Sequence, residues 1–405
     1  MARRIFCVAA IAGPLAAASA AGADWPAPGG AATAAVDDPA AAFARPVGSL
    51  PDIERDRFAR GTDLFYRRWI QGPAPPPALT GLGPLYNALS CQQCHENDGR
   101  GRPPAETGAP APGFVLKFEP ADPVYGRQLQ DHAVGGAAPE GRAGVRWTTE
   151  HHGLAEGYVV PLRRPLWSIA AATAGSAPHG ALSGRIAPPV AGVGLLEAIP
   201  AEDIAAAADP DDRDGDGVSG RLPEGRFGWR AEAPTVAAQT QRAFYEDMGL
   251  EAREIPEEVF DAILFYTRNL GPPERPAPTP AARRGEALFA DAGCAACHTP
   301  SQRIAAADLS WLADQTIWPY TDLLLHDMGP DLADAGSAEW RTAPLWGLGR
   351  NRAVNGNANF LHDGRARTPL EAVLWHGGEA AAARDAAKAL PPPALADLLA
   401  FLDSL

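Results

Sequence analysis

Basic residues, thiols and long apolar runs are all in short supply. The 405 residues include 35 Lys and Arg against 49 Asp and Glu, a formal net charge of -14 at pH 7. Such a surface repels phosphate backbones, which excludes nucleic acid as a partner. No stretch reaches the roughly 20 apolar residues that a membrane span needs; the one apolar run, Ile5 to Ala18, is too short and is interrupted by Pro14. The 5 cysteines are too few for a disulfide-dense scaffold, and Cys7 lies inside that apolar run. The 3 methionines leave Met248 and Met328 as the internal thioethers.

Proline and glycine are plentiful, at 41 and 42 residues, so a loop-rich protein is expected. The chain opens Met1-Ala2-Arg3-Arg4, continues apolar and ends in small residues near Ala18-Ser19-Ala20. A basic head, short apolar core and Ala-x-Ala site predict a signal peptide over 1–20 and hence a periplasmic protein. The segment 21–51, rich in Ala, Pro and Gly, reads as a disordered arm.

The four remaining cysteines fall into two pentapeptides, Cys91-Gln92-Gln93-Cys94-His95 and Cys294-Ala295-Ala296-Cys297-His298. This is the spacing of c-type haem attachment: two thiols add to the vinyl groups of one porphyrin, and the adjacent histidine reaches its iron. A zinc site would bring its two Cys-x-x-Cys pairs within about 12–20 residues of each other, and these lie far apart. A lone redox pair would not explain a histidine in both copies. Two covalently bound c-type haems are therefore expected, with Cys91, Cys94, Cys294 and Cys297 as attachment points and His95 and His298 as proximal iron ligands.

The approaches to the two motifs match: Arg60-Gly61-Thr62-Asp63-Leu64-Phe65 and Arg284-Gly285-Glu286-Ala287-Leu288-Phe289. Each reads as a helix whose Gly marks a close crossing by a second helix. Apolar helices at Pro256–Leu270 and Pro393–Leu402 supply the crossing partners. The fold class read from this pattern is mainly α, with two cytochrome c-like modules at 52–271 and 281–405. The Pro-rich stretch 272–280 is the linker. A loop-rich insertion enlarges the first module, and Phe114-Val115-Leu116 and Val159-Val160 suggest short strands there.

Several further blocks carry a family resemblance. They include Cys91–Pro104 with its Gly99-Arg100-Gly101-Arg102, Pro123–Asp131, Arg185-Ile186-Ala187-Pro188-Pro189 and Gly194–Pro200. Others are Gly225–Trp229, Leu325–Pro330, Phe360-Leu361-His362-Asp363-Gly364-Arg365 and Leu374–Gly378. Together they resemble the di-haem oxidoreductases, relatives of bacterial di-haem cytochrome c peroxidases and of the di-haem enzyme that matures methylamine dehydrogenase. The resemblance implies electrons passing from a small donor protein or redox carrier, through the second haem, to a small-molecule oxidant such as a peroxide at the first. The alternative is a non-catalytic di-haem electron-transfer cytochrome.

The second axial position decides whether an iron relays electrons or binds a substrate. The resemblance places the distal ligand of the second haem at His376, with Met328 as the alternative, and sets His362 near a haem edge. His326 is a candidate for a propionate bond. For the first haem the residues leave His132, His151, His152, His179, Met248 and an open site as alternatives. Glu150, beside His151-His152, is the candidate catalytic acid/base. Arg100, Arg102, Arg163, Arg164 and Arg185 are candidates for haem propionates, with Arg102 preferred. Trp229 is the candidate stepping stone for electrons between haems. Asp212, Asp214 and Asp216, in Asp212-Arg213-Asp214-Gly215-Asp216-Gly217, have calcium-loop spacing, although Pro223 stands where the bidentate Glu would be. The related peroxidases hold calcium between their haems, so calcium is the second expected cofactor.

Overall fold

The computed structural model describes residues 24–71, 79–173, 178–334 and 336–405. The signal-peptide expectation for 1–20 lies outside the described residues. Two helix pairs organise the core. Helix Arg55–Tyr66 crosses helix Glu257–Arg268, and helix Pro280–Asp291 crosses helix Pro392–Leu402. At each crossing a glycine lets the backbones meet. A Cβ on Gly61 would run into the carbonyl oxygen of Ala262, and one on Gly285 into that of Asp397. Phe58, Leu64 and Phe65 pack on Ile263 and Tyr266 in the first pair, while Phe289 packs on Leu398 and Phe401 in the second. Burying each such side chain contributes about 2 kcal/mol. Local signals start these helices where the sequence suggests. The Thr279 side chain accepts the Ala282 amide at 3.1 Å with Pro280 in the first turn, and Pro392 opens the last helix.

The expectation of a mainly α fold is not met: 34% of the described residues are helical and 20% are strand. The insertion forms a three-stranded antiparallel sheet with Phe114–Asp122 at its centre, flanked by Gly126–Gln128 and Ala181–Ile186. Phe114, Leu116 and Phe118 alternate inward and are buried. Beside it stands a hairpin in which Arg142–Gly153 pairs antiparallel with Val159–Ala170 from Arg142↔Ala170 to Gly153↔Val159. This hairpin lacks a continuous apolar alternation, because its stability comes from what it touches. It reaches across to the C-terminal part of the chain. Arg163 donates to the carbonyl oxygens of Arg365 at 2.9 Å and Gly364 at 2.8 Å, and Arg367 donates to that of Pro161 at 2.8 Å.

Nor is the segment after residue 23 a disordered arm. Phe43, Val47 and Leu50 are buried, and Trp25 sits in the second core, 6.1 Å from Phe401, with the Arg275 and Arg283 guanidinium carbons each 3.7 Å from its ring centre. The backbone is tied as well: the Val47 amide donates to the carbonyl of Asn269 at 2.8 Å, and the Gly271 amide to that of Arg45 at 2.9 Å. Ala and Gly, which dilute hydrophobicity in a compositional reading, here permit close backbone approach. The Pro-rich stretch after Gly271 is likewise pinned, through Ala34 N–H to Pro272 O at 2.9 Å and Arg275 Nε to Ser404 O at 3.0 Å.

Candidate haem sites

Each Cys-x-x-Cys-His motif lies on a short helical turn at the mouth of a cavity. Ser90 caps the first turn, Cys91–Cys94, accepting the Gln93 amide on its side chain at 3.3 Å. Gly113, at a positive φ of 66°, lies where a Cβ would strike the Cys94 carbonyl. His95 Nδ1 is 2.8 Å from the Pro188 carbonyl oxygen. A carbonyl only accepts, so Nδ1 carries the proton and Nε2 keeps its lone pair. Burial lowers the His95 pKa and holds the ring in the neutral form that binds iron. The thiols of Cys91 and Cys94 are unpaired, and burial raises the pKa of both.

The second motif repeats this logic. The turn Cys294–Ala296 starts from Gly293 at φ 83°, and His298 Nδ1 lies 3.0 Å from the Tyr320 carbonyl oxygen. Burial is the main cause that pulls the His298 pKa down to about 4, and His376 is among the groups that add to it. His376, which ends helix Pro369–Trp375, has its own Nδ1 2.7 Å from the Ala372 carbonyl oxygen, and burial lowers its pKa too. Both imidazoles line one cavity of about 440 Å³, and each has Nε2 left over.

The cavity beside His95 is about 270 Å³ and differs in its lining. Helix Val236–Met248, capped by the Thr235 side chain at 3.0 Å from the Ala238 amide, lends it Val236, Gln239, Thr240, Ala243 and Asp247 at spacings of three and four. Of the distal candidates only Met248 lines this cavity. His132 pairs with Asp131 at 2.6 Å, His179 lies 3.4 Å from Asp122, and neither these two nor His151 and His152 line it. Asp247 is half-buried, and its pKa is raised to about 6, chiefly by desolvation, while it accepts a hydrogen bond from Gln128 Nε2 at 2.8 Å.

Two expected site residues fall elsewhere. Glu150 lies on the hairpin, bonded to Arg164, which also holds Asp331 at 2.6 Å. The Arg164 hydrogen bond lowers the Glu150 pKa, and Glu150 lines neither cavity. Arg102 also lines neither cavity; it is half-buried, 3.9 Å from Glu96. Two residues along the chain, Arg100 lines both cavities, and so does Arg341, which no motif marked. Trp229 lines both as well, its Nε1 donating to the Ile186 carbonyl at 2.8 Å.

The remaining histidines are built into networks. His326 lies between Asp322 at 2.9 Å and Glu379 at 2.7 Å, with Cys297 Sγ 3.6 Å away. Its carboxylate partners leave it no call on a propionate. His362 is buried and stacks on Trp340 with ring centres 3.8 Å apart, in the wall of the second cavity. Met328 lines that cavity beside His376. Carboxylate oxygens of Asp212, Asp214 and Asp216 lie within 4.8 Å of one another on a loop whose Asp216 reaches the rim of the second cavity.

Paired thiols, a neutral histidine with its Nε2 lone pair unspent, an apolar cavity and cationic side chains facing it fit a haem in both places. A family model described as "Di-haem oxidoreductase, putative peroxidase" matches residues 23–121, 127–261 and 251–405. The chain belongs to this family of di-haem oxidoreductases. No curated protein matches it. Among solved structures, the di-haem oxidoreductase chain is similar to a Kuenenia stuttgartiensis hydrazine synthase pressurised with xenon. That similarity is at 14% identity and a TM-score of 0.39, over 86% of this chain and 87% of the other. No helix among the described residues of this oxidoreductase is long and apolar enough to cross a membrane.

Proposed function

We propose that this di-haem oxidoreductase takes electrons from a small donor protein or redox carrier at the site of His298 and delivers them to a peroxide-like oxidant at the site of His95. The observation that carries this reading is the asymmetry of the two linings. The second cavity offers His376 in addition to His298, a pair suited to a six-coordinate relay. The first offers no second imidazole and has Asp247 in its wall.

Bound haem supplies reversible one-electron chemistry and, where an axial position is open, a place for an oxidant to bind. The chain's own residues do the rest. Cys91, Cys94, Cys294 and Cys297 hold the porphyrins through thioethers. His95 and His298 are oriented by the Pro188 and Tyr320 carbonyls. Trp229, in the wall common to both cavities, is the route for electrons between them. Asp247, with a pKa near 6, holds and returns a proton inside the first cavity, a role that peroxide reduction to water requires twice. The aspartates at 212, 214 and 216 are assigned to calcium. Export to the periplasm by the 1–20 segment belongs to this reading, since haem c is attached outside the cytoplasm.

Met248 favours a second reading. If its thioether closes the first iron, the protein is a di-haem electron carrier with no substrate site. Carbon monoxide added to the reduced protein separates the two: binding at one haem per chain, with peroxide turnover from a reduced donor, supports the enzyme. No binding at either haem and no turnover would leave the carrier.

A further inference from the structure

We infer that Arg100 and Arg341 form a single anion clamp that takes carboxylate groups from both haems, so that each haem feels the charge of the other through it. This rests on the di-haem reading of the two cavities. Both arginines line both cavities. Their protein partners are neutral: Arg100 Nε donates to Asn351 Oδ1 at 3.1 Å, and Arg341 donates to the carbonyls of Gly228 at 3.1 Å and Thr342 at 3.2 Å. Among the described residues neither makes an ion pair, and the two terminal nitrogens of Arg100 make no hydrogen bond.

Their neighbours are different. Arg185 and Arg230 also line the first cavity, but Asp334 and Glu119 neutralise them. Burial lowers the pKa of Arg100 and Arg341 to about 10, so both remain cationic at neutral pH. A desolvated cation with only amide and carbonyl partners is costly, and a carboxylate on its open side relieves that cost. Haem carries its propionates on the edge opposite the vinyl groups. Thioethers at the motif end of each cavity therefore leave the propionate edges for the other end. A forked guanidinium open to both cavities is suited to carboxylates arriving from either side.

Redox titration of the holoprotein tests this, with the haem-to-chain ratio measured first and the two haems followed separately by their spectra. Removing a positive charge disfavours the added electron. Arg341→Gln and Arg100→Gln are therefore each expected to lower both midpoint potentials, by about tenfold in the reduction equilibrium constant, or ~59 mV for one electron. Arg102→Gln, which touches neither cavity, is expected to move neither. If a Gln variant fails to fold, the charge-keeping Arg341→Lys and Arg100→Lys variants are expected to lower both potentials by less. A shift confined to one haem, or no shift, overturns the clamp while leaving a protein with two haems per chain intact. Fewer than two haems per chain in the wild type would instead overturn the di-haem reading itself.

Discussion

The Nδ1 atom of His95 lies 2.8 Å from the carbonyl oxygen of Pro188. Pro188 belongs to a segment remote in sequence from the haem motif, yet it sets which ring nitrogen of His95 carries the proton. The same device recurs at His298 with Tyr320 and at His376 with Ala372. Three histidines thus keep Nε2 free and neutral.

If His376 is the distal ligand of the second haem, removing it opens that iron. His376→Ala is expected to keep both haems attached but convert the second from a six-coordinate to a five-coordinate spectrum, with new carbon monoxide binding. Met328→Ala is expected to leave that spectrum unchanged. The opposite pattern in optical and paramagnetic resonance spectra would move the ligand to Met328.

The helix crossings tolerate no side chain. Gly285→Ala puts a methyl group against the Asp397 carbonyl, and Gly61→Ala does the same against Ala262. Each is expected to cost about 1–3 kcal/mol, read as a lower denaturation midpoint at unchanged haem content. Gly153→Ala, where a Cβ meets nothing within 4 Å and φ is not left-handed, is the control and is expected to leave the midpoint unchanged.

The hairpin anchors the segment that leads to His376. Arg163 donates to the Arg365 and Gly364 carbonyls and to Asn359 Oδ1 at 2.9 Å, just before the helix that ends at His376. Arg163→Gln is expected to lower stability by about 2 kcal/mol, the value of hydrogen bonds from a charged donor. The spectrum of the second haem should broaden while that of the first stays unchanged. Equal disturbance of both haems would argue against a local anchoring role.

Glu246 connects the insertion sheet to the first cavity, with Lys117 Nζ and Arg242 Nε each 2.9 Å from its carboxylate. Burial opposes its ionisation, but the two cations prevail and its pKa is lowered. A carboxylate with a lowered folded-state pKa adds stability above its unfolded value, near 4.5, and loses it as pH falls through the folded value. Glu246→Gln is therefore expected to destabilise by about 3 kcal/mol at pH 7, and by progressively less below about pH 4.5, in melts across that range. A penalty independent of pH would mean that packing rather than charge is lost.

The proposed assignment of calcium to the aspartate loop has its own test. Calorimetric titration of calcium-depleted protein is expected to show one binding event, which Asp214→Asn weakens at least tenfold. Binding unchanged by that substitution would place the ion elsewhere.

Much of the chemistry is local and therefore legible in the chain. Thioether attachment and proximal ligation need only five consecutive residues, and a glycine at a helix crossing announces itself by its place in an apolar pattern. The resemblance of scattered blocks sufficed to name the family. The rest depends on which distant segments meet. Arg100 and Arg102 cannot be told apart by spacing, yet one lines both cavities and the other lines neither. Glu150 looks like an acid/base beside two histidines until the hairpin sets it against Arg164. The segment after residue 23 reads as disordered by composition, and only its contacts with both cores hold it. The hairpin is a strand pair because of the surface it crosses, not because of an apolar alternation. Residue type and short-range order determined the family to which this protein belongs. Burial and long-range pairing, which no local pattern encodes, decided which charges line the two cavities and where the strands form.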